Sequence, residues 1–327
     1  MIISRTPLRL SLVGGGSDLP VFYRRFGGAV VSTAIDQFVY VTINKKFDDK
    51  IRVSYSRTEE AVSVGRIKHP LVREAMKLLE VNGGVEITSI ADIPARGTGL
   101  GSSSTFTVGL LHVLHAYSER FASAAQLARE ACVVELERCG EPIGKQDQYA
   151  AAFGGLNFMQ FHPDDSVTVE PIICKRETIR QIQDHTLIFY TGLTRSASDI
   201  LSRQQTALGA EKKKQNVTRK MVDLAHTLRR ELQKNRVDSI GEIVHEGWCL
   251  KKSLASGITS GQLDDWYLKA RNAGAAGGKL LGAGAGGFFM FYAPPERHDD
   301  IARALSPLRR MNFRFESQGS RIIFVHH

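Results

Sequence analysis

The chain has 327 residues, of which 43% are apolar and 24% charged. This length suggests about two domains or one large one, and the composition excludes a disordered, collagen-like or small disulfide-rich protein. No apolar run approaches the roughly 18 to 20 residues of a membrane span, and the first residues lack the apolar block of a signal peptide. We therefore expect a cytoplasmic protein whose four cysteines are free thiols.

The chain is basic, with a net charge of +9, and most of that excess lies in one segment. Residues 175–236 carry 14 basic and 6 acidic side chains. Such a bias attracts anions, so nucleic acid and a phosphorylated small molecule together with a nucleotide are both candidate partners. The run 211–214 (EKKK) is typical of a solvated helix face rather than of a binding site.

In the first half of the chain, predicted strands come first and predicted helices follow. β-Branched and aromatic residues predict strands at 29–44 and 85–90. Apolar residues at near-helical spacing predict helices at 105–117 and 124–138, and a third helix that starts near Lys145 and stops before the Gly154-Gly155 pair.

The second half of the chain is richer in predicted helix. A strand at 186–190 precedes helices at 198–232, 239–254 and 262–272, and the chain closes with strands at 288–292 and 321–325. Because strict βαβ alternation is missing, the pattern favours an α+β fold. A surface turn at 163–166 places a domain boundary between residues 165 and 190.

The strongest local signal is the glycine-rich segment 94–104 (PARGTGLGSSS), between a predicted strand and a predicted helix. Its glycines allow backbone amides to approach a ligand, and its serines fall where the helix dipole is positive. A strand, a glycine-rich loop and a helix N-terminus in this order form an anion site that suits a phosphate group. Serine hydroxyls at this place can also ligate Mg²⁺. The spacing fits neither the Walker nor the dinucleotide pattern, and an N-capped helix after a flexible turn is the structural alternative.

Two further glycine-rich segments lie near the ends of the chain, at 4–18 (SRTPLRLSLVGGGSD) and 280–289 (LLGAGAGGFF). In this order, the three segments resemble the signature motifs of the GHMP kinases (galacto-, homoserine, mevalonate and phosphomevalonate kinases). The resemblance spans nearly the whole chain. It implies an α+β GHMP kinase fold, with a ribosomal S5 domain 2-like N-terminal domain over residues 1–180, a ferredoxin-like C-terminal domain over 181–327 and the site between them.

The resemblance also implies ATP and Mg²⁺ as cofactors. The residues that it places on the ATP phosphates are those of the glycine-rich loop: Gly97, Gly99, Leu100, Gly101, Ser102, Ser103 and Ser104. The resemblance implies that Ser103 and Glu135 are the Mg²⁺ ligands. Glu137 is the rival ligand, but two positions along a helix it points away from Glu135.

The catalytic residues implied by the resemblance are Asp147, Arg9 and Lys145. Asp147 lies twelve positions after Glu135 and either accepts the proton of a sugar hydroxyl or stays ionised and orients that hydroxyl. Arg9 matches the basic residue that faces the transferred phosphoryl group. Lys145 stands where galactokinases have an apolar residue, and its ammonium would favour an ionised Asp147 or hold a substrate phosphate. Solvated or capping acids are the structural alternatives for Glu135 and Asp147.

The first motif decides between members of the family. Galactokinases have Gly-Glu-His-Thr-Asp where this chain has Gly-Gly-Gly-Ser-Asp at 14–18. That form, with 144–151 (GKQDQYAA) and 190–192 (YTG), resembles the branch of D-glycero-D-manno-heptose 7-phosphate kinases and fucokinase-like enzymes, which act on an anomeric hydroxyl. The implied substrate-binding residues are Gly15, Gly16, Ser17, Asp18, Thr191, Gly192, Arg195 and Gly284.

The sequence thus predicts an ATP- and Mg²⁺-dependent sugar-1-kinase, a monomer or homodimer, that acts on a heptose 7-phosphate without nucleic acid or membrane partners. A second phosphate needs a further cationic site, for which Arg24, Arg25, Lys145 and Arg195 are candidates. The alternatives are a kinase of a neutral sugar such as L-fucose, a basic nucleic-acid-binding protein and a catalytically silent regulator. Basic segments interleaved with aromatic residues, as stacking on nucleic acid requires, are missing.

Overall fold

The computed structural model describes residues 1–94, 97–193 and 197–326, with only the backbone of Ala197. The first half of the chain begins with β1 (Ile2–Val13), α1 (Pro20–Phe26), β2 (Gly28–Lys45), β3 (Ile51–Ser54), β4 (Thr58–Ala61), α2 (Pro70–Leu78) and β5 (Val85–Ala91). It continues with α3 (Ser102–Tyr117), α4 (Ala124–Cys132), α5 (Gln146–Phe153), β6 (Leu156–Phe161) and β7 (Val167–Pro171). A 3-10 turn (Val64–Arg66) and a π-helical turn (Val133–Arg138) complete this part.

The second half is mainly helical and returns to strands at its end. Its elements are α6 (Arg176–Asp184), β8 (Thr186–Tyr190), α7 (Ala197–Ala210), α8 (Lys212–Gln233), α9 (Ile240–Lys252), α10 (Gly261–Asn272), β9 (Gly277–Leu280), β10 (Phe288–Tyr292), α11 (His298–Ala304), β11 (Arg309–Met311), β12 (Phe315–Glu316) and β13 (Arg321–Val325).

The first sheet is organised around the long strand β2. One edge of β2 pairs antiparallel with β1, and its other edge is shared by β6, β12 and β5 along successive parts of its length. The pairing of β3 with β5 is parallel. Helix α3 packs against β1 and β2, and its side chains from Val108 to Leu114 lie in the main hydrophobic core. The sheet therefore fixes where the N-terminus of α3 points.

The second sheet is antiparallel, in the order β11-β8-β10-β9. Helix α9 packs against β9, and α8 packs against α9 and also reaches β2 of the first sheet. The residues that α8 buries are Thr218, Met221, Ala225, Leu228 and Leu232, three to four positions apart, as expected for one face of an amphipathic helix. Helices α8 and α9 thus connect the two sheets.

The α+β class is confirmed, and most predicted elements lie within one to three residues of the observed ones. The predicted helix at 198–232 is wrong as a single element, because Glu211 takes an extended conformation (φ −107°, ψ 109°) between α7 and α8. The predicted helix at 124–138 ends as regular α-helix at Cys132 and continues as the π-helical turn.

The chain returns to the first sheet at its end, since β12 pairs with β2 and β13 pairs with β1. Both strands follow residue 180, so the end of the chain completes the sheet that its first half builds. The four cysteines are free thiols. Of the helices in the described ranges, none is both long and apolar enough to cross a membrane.

Candidate active site

A cleft of about 1250 Å³ lies between the two parts of the molecule and collects the predicted motifs. The first motif lines it with Arg9, the glycine turn and Asp18, and the glycine-rich loop lines it from Gly97 to Ser104. Residues from α5, α7 and α9 and the turn after β9 complete the wall. Ala95 and Arg96 of the loop lie outside the described residues.

The glycine-rich loop ends directly at the N-terminus of α3. Gly101 has a left-handed backbone (φ 80°) and is the N-cap residue, so no capping side chain covers the first amides of the helix. The amides of the first helical turn lack intrahelical acceptors, and together with the helix dipole they form an anion site that opens into the cleft. The alternative of serines that merely cap the helix is wrong, because Ser102 to Ser104 are already helical.

The third motif supports this loop through backbone contacts. Phe288 N donates to Thr98 O at 3.2 Å, and a Cβ atom on Gly99 would lie 2.3 Å from Leu281 O. Gly99 also has φ +76°, so a side chain is excluded there on two grounds. Leu100 is buried in the core, and its carbonyl accepts from Arg9 N at 3.2 Å. The loop is therefore held between the first and the third motif.

Glu135 is the buried acid at the foot of α3. Its Oε1 accepts from Ser103 Oγ at 3.1 Å and its Oε2 from Gln148 Nε2 at 2.6 Å. Burial raises the pKa of Glu135 to about 7, against the lowering effect of these hydrogen bonds, and the nearby Asp147 carboxylate raises it further. The rival Glu137 is exposed, so the preference for Glu135 agrees with the structure. Glu135 lies in the π-helical turn, a feature that is frequent at functional sites.

Arg9 and Asp147 form a two-point ion pair at the centre of the cleft. Arg9 Nε donates to Asp147 Oδ1 at 2.8 Å and Nη2 donates to Oδ2 at 2.9 Å. Arg9 Nη1 also donates to Gly99 O at 2.6 Å, although the side chain is only 2% exposed. Asp147 is 24% exposed, and a Cβ atom on Gly101 would lie 3.3 Å from its Oδ2. The carboxylate is thus fixed beside the glycine-rich loop and open to the cleft.

Asp18 joins the first motif to the N-terminus of α5. Its Oδ1 accepts from Gly16 N at 2.8 Å and its Oδ2 from Gln146 N at 3.2 Å. A Cβ atom on Gly144 would lie 1.9 Å from Oδ2, so only glycine allows this approach. Burial, with a contribution from Asp147, raises the pKa of Asp18. A second carboxylate thus lines the cleft beside Asp147.

Lys145 differs from the prediction. Its Nζ donates to Asp165 O at 2.9 Å and to Asp165 Oδ1 at 3.3 Å, and it lies 5.0 Å from the Tyr23 ring centroid. Arg24 binds the same carboxylate at 3.0 Å. The expected place of the Lys145 ammonium beside Asp147 is therefore wrong, because Asp165 holds it outside the cleft lining.

The predicted substrate residues divide into two groups. Gly15, Gly16 and Gly284 line the cleft together with Asp18. The hydroxyls of Ser17 and Thr191 are buried and donate to the carbonyls of Gly14 and Gly287, both at 2.8 Å. These two side chains, predicted to bind the substrate, support the backbone of the turns and are not among the residues that line the cleft. Gly192 is exposed, and Arg195 lies outside the described residues.

The sequence interpretation missed three polar residues that line the cleft. Lys251 on α9 is buried, and burial lowers its pKa to about 8. Gln146 Oε1 and Gln204 Nε2 are buried without a hydrogen-bond partner within the described residues. Lys251 and Gln204 lie outside the sequence motifs, whereas Gln146 lies within the segment 144–151 but had no role assigned to it.

Beyond the glycine-rich loop the cleft has aromatic and apolar side chains beside polar and charged ones. It is lined by Val39, Tyr55, His69, Ile93 and Phe106, together with Ser56, Arg57, Lys68 and Ser89. The His69 ring contacts both aromatic neighbours, with its centroid 4.6 Å from that of Tyr55 and 5.3 Å from that of Phe106. The aromatic rings of this part have the flat apolar surfaces that suit a planar heterocycle.

An amide-lined loop facing a carboxylate held by a guanidinium defines the class of a phosphotransferase that acts on a small molecule. Comparison with known proteins supports this class. Residues 70–155 match the GHMP kinases N terminal domain, and residues 228–311 match the GHMP kinases C terminal region. The chain belongs to the GHMP kinases.

Individual relatives fall within the same family. The chain is 30% identical to the D-glycero-alpha-D-manno-heptose 7-phosphate kinase of Campylobacter jejuni over 316 residues, 93% of each chain. It is similar to the crystal structure of a D-glycero-D-manno-heptose 1-phosphate kinase from Bacteroides thetaiotaomicron, with a TM-score of 0.81, 28% identity and complete coverage of both chains. A bifunctional fucokinase/GDP-fucose pyrophosphorylase of Arabidopsis thaliana is 26% identical over 88% of this chain and 29% of its own.

Proposed function

We propose that this protein is an ATP- and Mg²⁺-dependent sugar-1-kinase that phosphorylates the anomeric hydroxyl of D-glycero-D-manno-heptose 7-phosphate. The product is the 1,7-bisphosphate, a precursor of nucleotide-activated heptose for surface polysaccharide. The observation that carries the proposal is the Asp147 carboxylate, fixed by Arg9 at 2.8 and 2.9 Å beside an uncapped helix N-terminus.

The nucleotide occupies the loop side of the cleft in this proposal. The amides at the start of α3 bind its phosphates, since they are unpaired and lie at the positive end of the helix. The adenine base enters the aromatic part of the cleft, against Tyr55 and Phe106. This arrangement directs the terminal phosphate toward Asp147.

Ser103 and Glu135 fit a magnesium ion. Both offer the oxygen atoms that Mg²⁺ prefers, and among the ion pairs of the described residues none includes Glu135. Its pKa near 7 reflects a buried carboxylate without a cation beside it. When bound there, Mg²⁺ supplies positive charge next to the phosphate oxygens.

The acceptor occupies the side of the first motif. Asp147 accepts the proton of the anomeric hydroxyl as that oxygen forms its bond to the γ-phosphorus and the bond to the bridging oxygen of ADP breaks. Each carboxylate oxygen has lone pairs beyond those that Arg9 occupies, so this role is compatible with the ion pair. Asp18, Gln146 and Gln204 line the same part of the cleft and bind sugar hydroxyls.

The heptose phosphate is favoured over other sugars by similarity and by charge. The relative at 30% identity and 93% coverage is named for that substrate. The first motif, Gly-Gly-Gly-Ser-Asp, lacks the Glu-His pair of galactokinases. The net charge of +9 suits a phosphorylated acceptor together with ATP. We further propose a cytoplasmic monomer or homodimer with domains over 1–180 and 181–327.

A fucokinase-like activity is the second candidate. It is favoured by the 26% identity to the Arabidopsis fucokinase-containing protein over 88% of this chain. The candidate cations for a second phosphate are also partly engaged, since Arg24 and Lys145 both bind Asp165. A neutral sugar needs no such site.

The deciding experiment measures ADP release from Mg-ATP with a panel of D-glycero-D-manno-heptose 7-phosphate, the corresponding 1-phosphate, L-fucose, galactose and mevalonate. We expect turnover with the heptose 7-phosphate, and ³¹P NMR of the product should show a new phosphate on the anomeric carbon. Turnover with L-fucose but not with the heptose would replace the first candidate by the second. Turnover with the 1-phosphate alone would contradict transfer to the anomeric hydroxyl, because that hydroxyl already carries a phosphate in this compound.

A further inference from the structure

A buried lysine at the centre of the cleft has no role in the function proposed so far. Lys251 lies in the last turn of α9, is 7% exposed and lines the cleft. Its Nζ donates to the carbonyl of Gly282, in the turn after β9. A Cβ atom on Gly282 would lie 2.3 Å from the Cα of Gly99, so that carbonyl belongs to the turn that supports the glycine-rich loop.

The charges around Lys251 are those of the proposed transfer site. Arg9 lowers the pKa of Lys251, together with burial, and Asp18 and Asp147 raise it. Lys279 is a further charged neighbour, since burial and then Lys251 lower the pKa of Lys279. Lys251 is therefore close to both carboxylates of the acceptor side as well as to the loop.

Lys251 is a buried cation with donor capacity left for a ligand in the cleft. Arg9 also lines the cleft, and three of its five N–H donors are used on Asp147 and Gly99. Lys279 Nζ donates to the carbonyls of Ser11 and Leu12 at 2.7 and 3.1 Å, and it does not line the cleft. Lys251 has three donor hydrogens, and within the described ranges one acceptor, Gly282 O, meets them.

We propose that Lys251 is a further catalytic residue, whose ammonium donates hydrogen bonds to the γ-phosphoryl oxygens during transfer. The inference rests on the proposed kinase function and adds a residue from α9 to it. The acceptor oxygen bonds to phosphorus, the bond to the bridging oxygen of ADP breaks, and Lys251 keeps its proton throughout. A preorganised donor in a buried site stabilises charge that develops in the transition state.

The first test is Lys251→Met, which keeps the length of the side chain and removes its charge. We expect kcat to fall at least ~10²-fold, as for loss of one preorganised donor, while the KM of the acceptor changes less than about threefold because the contact is made to the transferred group. The melting temperature should stay equal or rise, since a buried charge is removed. If Lys251 had only a structural role, its replacement would lower the melting temperature.

The matched control is Lys252→Met on the next position of the same helix. Lys252 is 30% exposed, binds Asp264 at 3.1 Å and does not line the cleft. Its loss should leave kcat within about twofold of the wild type, as expected for a surface ion pair that contributes little. If Lys251→Met retains kcat, or raises only the KM of the acceptor, the assignment to the γ-phosphoryl group is overturned.

A second test uses the wild-type protein and does not depend on a variant that folds. Lys251 must be protonated to act, and its pKa of about 8 predicts that kcat/KM falls as the pH rises above that value. In Lys251→Arg this alkaline fall should be absent, because arginine stays charged. A wild-type profile that is flat from about pH 7 to 9.5 overturns the proposal. The product formed with the sugar panel at pH 7 is unaffected by either outcome, so the proposed function is judged separately.

Discussion

The guanidinium of Arg9 donates hydrogen bonds to both carboxylate oxygens of Asp147, from Nε at 2.8 Å and from Nη2 at 2.9 Å. Its third nitrogen, Nη1, donates to the carbonyl of Gly99. One side chain from β1 therefore fixes both the proposed base at the start of α5 and the loop proposed to hold the phosphates. The Arg9 side chain that holds this geometry is almost fully buried. A preorganised site needs little rearrangement when charge develops.

The first prediction concerns Asp147. In Asp147→Asn we expect kcat to fall at least ~10²-fold, because an amide cannot accept the hydroxyl proton. ATP binding should be retained, since the amides at the start of α3 are unchanged. Steady-state kinetics and calorimetric titration with a non-hydrolysable ATP analogue check both parts. Near-wild-type turnover would remove Asp147 from the role of base.

The second prediction separates the geometry of Arg9 from its charge. Arg9→Lys keeps one positive charge but cannot bind two carboxylate oxygens and Gly99 O together. We expect kcat to fall on the order of 10²-fold. In the Arg9→Lys/Asp147→Asn double variant the loss should be much smaller than the product of the single losses, because the two side chains act as a unit. Multiplicative losses in this cycle would contradict a coupled pair.

The third prediction tests the backbone contact between the second and the third motif. Gly99 and Gly140 both have positive φ (76° and 67°), but a Cβ atom at Gly99 meets Leu281 O at 2.3 Å, whereas nothing lies within 4 Å of one at Gly140. Gly140→Ala should cost roughly 1–2 kcal/mol of stability through strain alone. Gly99→Ala should also displace the loop and raise the KM of ATP by about tenfold or more, or ~1.4 kcal/mol. Equal KM values in the two variants would mean that this contact does not position the loop.

Much of the site could be predicted from the sequence, because its motifs act mainly through the backbone. Glycines at close spacing predicted the loop, and the resemblance to the GHMP kinases implied Glu135 and Asp147, twelve positions apart, which the structure brings into one cleft. Glu135 is buried and Glu137 is exposed. Each motif is a short continuous stretch of chain, and the order of the three motifs supplies the rest of the signal.

Other parts of the site depend on tertiary packing. Lys251 and Gln204 lie in helices without distinctive motifs, and they line the cleft because α7 packs against α1 and α8 and because α9 packs against β9 and β1. Lys145 has the expected position in the chain, but its ammonium binds Asp165, twenty residues later. The break at Glu211 was likewise not predicted, although Gly209 lies two residues before it. Side-chain partners of this kind follow from the fold and not from spacing.

The fourth prediction concerns Gln204, whose Nε2 is buried without a partner within the described part of the chain. A Cβ atom on Gly16 would lie 2.5 Å from this nitrogen, so the amide lies against the glycine turn of the first motif. A sugar hydroxyl can accept its hydrogen bond. Gln204→Leu should therefore raise the KM of the acceptor about fivefold, as for one hydrogen bond of roughly 1 kcal/mol.

The KM of ATP in Gln204→Leu should stay constant, because the loop side of the cleft is untouched. The control is Ser202→Ala, two residues earlier on the exposed side of α7. It should leave both KM values unchanged. An equal rise in the KM of ATP and of the acceptor would argue for a displaced helix rather than for a lost contact.

The last prediction concerns the dependence of stability on pH. His112 Nδ1 on α3 lies 2.9 Å from Ser320 Oγ, and that hydroxyl lies 2.8 Å from Thr6 Oγ1. These hydrogen bonds connect α3 and β1 with the segment before β13. Burial, with a contribution from His115, lowers the pKa of His112 from 6.5 to about 4. The folded protein therefore keeps this ring neutral at a pH where the unfolded chain protonates it.

The sign of the effect follows from this difference. Above pH 6.5 the His112 ring is neutral in both the folded and the unfolded protein, so it does not change the stability. As the pH falls from 6.5 toward 4, the unfolded chain binds a proton at this ring that the folded protein excludes. The stability of the folded protein therefore decreases over this range. In His112→Gln, a neutral amide replaces the ring, so the drop in melting temperature between pH 7 and pH 5 should be smaller than in the wild type. His162→Gln, in the exposed β6–β7 turn, should keep the wild-type drop. If His112→Gln keeps it as well, protonation of other groups accounts for the acid sensitivity.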